Sequence, residues 1–339
     1  MKKIFFAVLL SVTFIFGGCD TQAASKDRFV DSRGNLKISM LNVGHGDAIL
    51  IQTRQQTILI DTGNINNQAQ FVSELEKLSV TKIDKIILTH AHGDHIGGAK
   101  LLINPSKKEL ETYPYLEKIS VAAIYDNGVV HTSGIYKNYI KATAAKNLPY
   151  QHLKAGDKLD FGDGVKFKVL FPTEEFVNTV NTTKYTDDER GHVFNNSSVV
   201  GKLTYKKFSM MFTGDCENPS EAKILSANNV KDLKCTVLKA GHHGYGGSSS
   251  EEFVAAVNPK YILISSLEKG DPKKAYGAPY LKPLETYLAQ GVDVKNILCT
   301  RWNGTISLIS DGKNVSVEVE KKEDWVYKWM EKKRKYKMK

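Results

Sequence analysis

Three imidazoles and one carboxylate crowd the segment His90-Ala91-His92-Gly93-Asp94-His95. The segment follows the apolar run Ile86-Ile87-Leu88 and Thr89, and it precedes the small-residue run Ile96-Gly97-Gly98-Ala99. A short apolar run bounded in this way reads as a buried strand, so the loop leaves a strand end and enters a helix. In its extended part His90 and His92 point to one side, and the turn brings Asp94 and His95 round to a neighbouring position. Imidazole and carboxylate are the donors of zinc-type sites, and this placement suits two adjacent ions better than one. The plainer alternative is a polar surface loop with incidental histidines. With nine histidines in 339 residues, such a concentration at a strand end is a rare accident.

Around this loop, strands and helices alternate. Strand patterns at 36–41, 48–52, 57–60 and 85–88 flank a helical pattern over 67–78, where Phe71, Leu75 and Leu78 share a face; a second helix is expected over 96–103. The alternation continues with strand 120–125, a helix within 133–146, and strands 158–161 and 165–171. Residues 173–194 are rich in Thr, Asn, Asp and Lys and read as a long loop or insertion. Strands at 198–205, 208–212, 235–239 and 261–265 then interleave with helices at 219–225, 250–257 and 281–290; three strands close the pattern at 295–300, 304–309 and 314–319. Two such interleaved halves predict an α/β protein with helices outside two sheets, a four-layer αβ/βα sandwich over 36–319. The 41% hydrophobic and 25% charged content suits one sizeable core and excludes a disordered chain.

The net charge of +10 sits mostly at the ends. Lys2-Lys3, the apolar run 4–16 and Gly17-Gly18-Cys19 read as an export signal over 1–18. Small residues before the cysteine resemble the lipobox of bacterial lipoproteins. This predicts a lipidated Cys19, a tether over 19–35, and a protein outside the cytoplasm anchored to the cell membrane by its lipid. An uncleaved membrane anchor is the alternative, although the apolar run is short against the roughly 20 residues a span needs. The other cysteines, Cys216, Cys235 and Cys299, are odd in number and scattered, which predicts buried thiols rather than a disulfide framework. Residues 320–339 form a basic tail in which Trp325 and Trp329 lie four apart. That spacing fits either a helix lying on an anionic surface or a solvated basic tail; membrane lipid, teichoic acid or nucleic acid would each answer its charge.

Further polar clusters fall at strand ends, where α/β folds gather their active sites. Asp215 follows Phe212-Thr213-Gly214, His242 and His243 follow Val237-Leu238-Lys239-Ala240-Gly241, and Asn195-Asn196-Ser197-Ser198 precedes another strand. Each alone is a weak signal, since a Gly-Asp turn is more often just a turn, whereas together they supply the remaining ligands for two ions. The segment 90–95 carries the HxHxDH signature, and with Asp215 and His242 in order the chain resembles the metallo-β-lactamase superfamily. More narrowly, Asn42-Val43-Gly44-His45-Gly46-Asp47-Ala48, Leu59-Ile60-Asp61-Thr62-Gly63, Phe212-Thr213-Gly214-Asp215 and the segment 238–246 resemble the hydrolase domain of ComEC-type DNA-uptake proteins, across about residues 38–309.

That resemblance implies His90 and His92 on a first ion, Asp94, His95 and His242 on a second, and Asp215 bridging them, the pair activating water. It leaves the metal open between zinc and manganese, because Asn195-Asn196 stands where many superfamily members place a third histidine. Tyr276-Gly277-Ala278-Pro279 departs from the Tyr-Gly-His-Pro common in ComEC relatives, and His45 replaces a common Gln. His243 is the candidate for a phosphate contact or general acid beside Asp94, or else a hydrogen bonder behind the ligands. Tyr245 and Asn196 are further candidates for substrate or metal, and Asp47 and Asp61 for orienting the ligating histidines. His192 is the one other histidine expected within reach of the site; His131 and His152 carry no supporting pattern, and His45 is expected to face solvent.

The leading expectation is a membrane-anchored metal-dependent phosphodiesterase or phosphoesterase outside the cytoplasm, taking nucleic acid or a wall polymer. Competing readings are a teichoic-acid phosphorylcholine esterase, a lactonase or β-lactamase-type hydrolase of carbonyl substrates, and a non-enzymatic polymer-binding lipoprotein on a decayed scaffold.

Overall fold

A computed structural model describes residues 31–266 and 277–337. The export signal, Cys19, most of the tether and Tyr276 lie outside the described residues. Short aliphatic runs build the first half as β1 (Leu36–Met40), β2 (Ile49–Gln52), β3 (Thr57–Ile60), β4 (Lys82–Ile83), β5 (Lys85–Ile87), β6 (Ser120–Val121), β7 (Ile124–Asp126) and β8 (Tyr150–His152). The second half supplies β9 (Lys158–Asp160), β10 (Lys166–Phe171), β11 (Val200–Tyr205), β12 (Phe208–Phe212), β13 (Val237–Lys239), β14 (Tyr261–Ile264) and β15 (Ile297–Cys299). A closing pair, β16 (Ile306–Ser310) and β17 (Val315–Val319), returns to the first sheet beside β1. The strand orders are β17-β16-β1-β2-β3-β5-β7-β8 and β15-β14-β13-β12-β11-β10-β9, with β4 and β6 forming a small separate pair.

Side-chain alternation along the strands makes three apolar layers out of two sheets. Ile38, Ile51 and Ile60 meet Phe167, Val169, Met210 and Phe212 between the sheets. On the outer face of the first sheet Leu50, Leu59 and Ile86 pack against Phe71 and Leu75 of the helix Gln68–Lys77. On the outer face of the second, Val200, Met211, Leu238 and Ile262 pack against Ile224, Phe253 and Leu284. Helix, sheet, sheet and helix stack in that order, the four-layer sandwich the alternation predicts. Parallel pairing of β3 with β5, of β12 with β13 and of β13 with β14 sets the exits of five strands along one edge. Asp61, the histidine loop, Asp215, the double-histidine turn and Ser265 all follow those exits.

Two expectations need correction. Residues 173–194 are not a long loop, because they form the helices Glu174–Thr182 and Asp187–Asn195. Thr173 and Thr186 cap their N-termini, and Glu189 completes a capping box with Thr186. Their inward faces bury only Val180 and Phe194 against Val129, too little apolar surface to show as a helical period. Nor is 320–339 a free tail. Its helix Val326–Lys337 is docked, with Trp325 and Trp329 only 3% and 4% exposed in the same core as Leu284 and Tyr287. Trp302 stacks on Trp325 with centroids 4.1 Å apart, so the aromatic pair faces protein rather than an anionic surface.

Cys216, Cys235 and Cys299 are free and buried, and burial raises the thiol pKa of Cys235 to about 11. Among the described residues no helix is long and apolar enough to cross a membrane.

Candidate metal centre

Asp61 ties together the two ends of the histidine loop. Its carboxylate accepts from the Thr89 amide and hydroxyl, each at 2.7 Å, and from His95 Nδ1 at 2.7 Å. It does so from the left-handed backbone region, φ +59°, a conformation costly for a non-glycine residue and found where function fixes a side chain. With Nδ1 donating to Asp61, His95 turns Nε2 inward to 3.1 Å from Asp215 Oδ2, off the line of a hydrogen bond. His90 Nδ1 lies 3.2 Å from Thr89 Oγ1 and 3.3 Å from Ser198 Oγ. Its Nε2 therefore faces His92 Nδ1 at 3.1 Å and Asp215 Oδ2 at 3.9 Å. Asp94 Oδ2 lies 3.4 Å from His243 Nε2. Gly46 must be glycine here, since a Cβ would sit 2.2 Å from the Asp94 carbonyl oxygen.

The double-histidine turn reverses the expected roles of its two members. His242 and His243 both adopt left-handed backbone, φ +44° and +54°, so their side chains leave the turn in different directions. His243 points inward. Its Nδ1 lies 3.0 Å from the Ser265 carbonyl, and its Nε2 is 3.4 Å from both Asp94 and Asp215. At 1% exposure it belongs to the buried donor cluster. His242 keeps 23% of its side chain exposed, with Nδ1 on Glu217 at 3.0 Å and Nε2 3.8 Å from Asp215. The ligand position expected for His242 therefore goes to His243, and His242 faces the open cleft.

A similar one-residue exchange affects the asparagines. Asn196 caps the helix Asp187–Asn195 and is spent on the His192 carbonyl, Glu217 and the Ser220 amide. Asn195 instead reaches Glu217 and His242 with Nδ2, while its Oδ1 is buried without a hydrogen-bond partner. Asn195, not Asn196, lines the centre. Glu217 was not anticipated, yet it collects His192, His242 and both asparagines; the available signal was a carboxylate two residues past Asp215 in an already polar turn. His192 thus stops at Glu217. His131 was also passed over, and its ring centroid lies 6.4 Å from that of His92 and 4.4 Å from that of Phe194.

Lys239 is the larger omission. It ends β13 fully buried, with Nζ 2.5 Å from Asp47 Oδ2, 2.7 Å from the Gly214 carbonyl and 3.7 Å from Asp215 Oδ1. Asp47 also accepts from Ser265 Oγ, the residue that holds His243, so it acts on the centre through Lys239 and Ser265. His45 does not simply face solvent. Its Nε2 is 3.4 Å from Asp94 Oδ2, and it shares with His242, His243, Tyr245, Gly277, Ala278 and Tyr280 the wall of a cleft of about 240 Å³.

Asp94, His95, Asp215 and His243 each offer one ligand atom, and these atoms lie within 4.8 Å of one another. His95 Nε2, His243 Nε2 and Asp215 Oδ1 are buried without hydrogen-bond partners, a costly arrangement that a divalent cation relieves. The donors therefore fit a divalent metal ion. His90 and His92 form a second pair beside Asp215, equal to the first group in imidazoles but with no carboxylate besides Asp215.

Burial alone would push His243 down, but Asp215, Asp94 and Asp47 outweigh it and hold the imidazole up at about 9. His95 is likewise depressed by burial and raised well above its usual value by Asp215 and Asp61. The stabilisation from His243 in the metal-free fold is complete below its ordinary 6.5 and is lost as pH rises through about 9. A cation must displace these protons, so metal affinity is expected to increase as pH rises through about 9. Titration calorimetry at pH 7 in buffers of different ionisation enthalpy should report proton release; buffer-independent heats would contradict this.

The family model of the metallo-beta-lactamase superfamily matches residues 41–265. ComE operon protein 3 of Bacillus subtilis (strain 168) is 27% identical over 288 residues, covering 80% of this chain and 32% of that protein. The chain thus spans about a third of that relative's length. A UPF0173 metal-dependent hydrolase of Bacillus cereus (strain ATCC 10987 / NRS 248) is 26% identical over 194 residues, covering 56% of this chain and 69% of the hydrolase. The crystal structure of the metallo-beta-lactamase fold protein YhfI from Bacillus subtilis aligns with 80% of this chain and 99% of YhfI, at 11% identity and a TM-score of 0.48.

Proposed function

The chain belongs to the metallo-beta-lactamase superfamily as a metal-dependent hydrolase, and from that premise we propose a phosphodiesterase working outside the cytoplasm, held to the membrane by lipid on Cys19. The observation that carries the reading is the group Asp94, His95, Asp215 and His243, whose ligand atoms lie within 4.8 Å of one another, the last three residues buried and each with a side-chain atom that lacks a hydrogen-bond partner, beside an open cleft. Divalent ions in such a site supply Lewis acidity, lowering the pKa of water and stabilising charge on the group transferred.

The chain's own residues do the rest. Asp61 and Ser265 fix which nitrogen His95 and His243 present, while Lys239 and Asp47 keep Asp215 in place. His242, steadied by Glu217, and the rings of Tyr245 and Tyr280 bound the space for one ring-sized substituent of the substrate. Two carboxylates among four donors suit manganese as well as zinc, and His90 with His92 would hold a second ion. An anionic diester is drawn to a dication; the basic helix Val326–Lys337 near the cleft supports a polyanion, nucleic acid or teichoic acid, as its source. The resemblance of segments 42–48, 59–63, 212–215 and 238–246 to ComEC-type DNA-uptake proteins supports the nucleic-acid form.

The test is turnover of bis-p-nitrophenyl phosphate, p-nitrophenyl phosphorylcholine, nitrocefin and an acyl lactone by protein loaded with zinc or manganese, beside metal analysis by mass spectrometry. Hydrolysis of bis-p-nitrophenyl phosphate in preference to the others is expected; preference for p-nitrophenyl phosphorylcholine, also a phosphodiester, would point to the choline-esterase form instead. Turnover of nitrocefin or lactone alone would overturn the phosphoester reading, and protein that binds no transition metal would favour polymer binding without catalysis. Detergent-phase partition should be lost in Cys19→Ser, and its retention would exclude the lipid anchor.

A further inference from the structure

The segment Gly277 to Tyr280, of which Gly277, Ala278 and Tyr280 line the cleft, is tied to the protein by four backbone hydrogen bonds. The Gly277 carbonyl accepts from Lys333 Nζ, the Ala278 carbonyl from Ser266 Oγ at 2.8 Å, and the Pro279 carbonyl from Trp329 Nε1 at 2.8 Å. The Tyr280 amide donates to the Gly244 carbonyl at 2.8 Å, directly after the double-histidine turn. Gly244 is itself required, since a Cβ there would lie 2.9 Å from that of Pro279. Two of the four tethers thus come from the C-terminal helix. Lys333 is 6% exposed, and its ammonium also lies 4.5 Å from the Tyr280 ring centroid. Trp329 is wedged edge-on against Trp302 and under Arg301, whose guanidinium is 4.3 Å from its ring. One buried ammonium thus holds both ends of the wall, the Gly277 carbonyl and the Tyr280 ring.

We infer that Trp329 and Lys333 are positioning residues for the active-site cleft: through Gly277, Pro279 and Tyr280 they set the width of the pocket that receives the ring-sized substituent retained on the substrate when the leaving group departs, and so its preference for bulky over small retained groups. Neither residue touches the donor cluster, so the chemical step itself is left intact. The inference rests on the hydrolase reading of the centre but not on the phosphoester being its substrate.

The test compares bis-p-nitrophenyl phosphate with methyl p-nitrophenyl phosphate in Lys333→Met, Trp329→Phe and Lys333→Arg, each with its melting temperature. In the first two, KM for the bulky ester is expected to rise at least fivefold while kcat stays within twofold and the methyl ester is little affected; Lys333→Arg, which keeps the cation, should recover most of the preference. An unchanged ratio in folded variants, an equal loss on both esters, or unfolding of both single variants would overturn the inference. Should the wild-type protein hydrolyse lactones and not phosphodiesters, the phosphoester reading fails alone, and long- against short-chain lactones decide the inference in the same variants. A wild-type protein that hydrolyses neither class overturns both.

Discussion

Asp215→Asn is expected to reduce kcat/KM at least about 10³-fold, roughly 4 kcal/mol of transition-state stabilisation, and to strip the protein of its metal. Asp215 Oδ2 is the point on which the centre converges, 3.1 Å from His95, 3.4 Å from His243, 3.8 Å from His242 and 3.9 Å from His90. Burial disfavours its charge, but His243, His95 and His242 hold it ionised well below the usual carboxylate range. Asparagine keeps the shape and the Ser198 contact to the backbone amide while deleting the anion. His95 and His243 then lose the carboxylate that raises them, so proton release on metal addition should shrink together with affinity. Metal content by mass spectrometry, calorimetry and kinetics read the three effects separately. A variant that retains full metal and activity within tenfold of the parent would remove Asp215 from the centre.

What the sequence makes legible is whatever is local and contiguous. The segment His90 to His95 declares itself because its donors sit side by side, and the two sheets because aliphatic runs alternate with helical periods. Which of two adjacent residues turns inward is a different matter. His242 and His243 differ by one position in a left-handed turn, and Asn195 and Asn196 by one position at a helix end, so spacing carries no sign of the face each takes. Only the tertiary partners decide it: Ser265 for His243, and Glu217 with Ser220 for Asn196. The 173–194 segment did carry its helix signal, in Thr173, Thr186 and Glu189, but as caps without an apolar stripe. Trp325 and Trp329 looked like a surface motif because their partner, Trp302, stands more than twenty residues away. Lys239 was hidden for a related reason: a lysine at a strand end reads as solvated, and its partner Asp47 belongs to the other half of the chain.

That buried pair makes the other large prediction. Lys239→Met is expected to destabilise the metal-free protein by about 3–5 kcal/mol, the cost of removing one member of a buried ion pair and leaving the other charge unmatched. Burial lowers the Lys239 pKa, but Asp47 and Asp215 more than restore it, so the ammonium stays charged in a place no water reaches. Without it, Asp47 and Asp215 face each other's charge across the space it filled. Asp47 retains only Ser265 and the more distant imidazoles of His243 and His95, at 3.6 Å and 3.9 Å. The double variant Asp47→Asn/Lys239→Met removes both charges and should recover a large part of the loss, because a neutral pair of similar volume carries no unmatched ion. Urea unfolding of the four proteins of this cycle measures the coupling directly. A single-variant loss below about 1 kcal/mol, or a double variant as unstable as the sum of its parts, would show that Lys239 only fills space. Because Lys239 also grips the Gly214 carbonyl immediately before Asp215, the same single variant should weaken metal binding even where the fold survives.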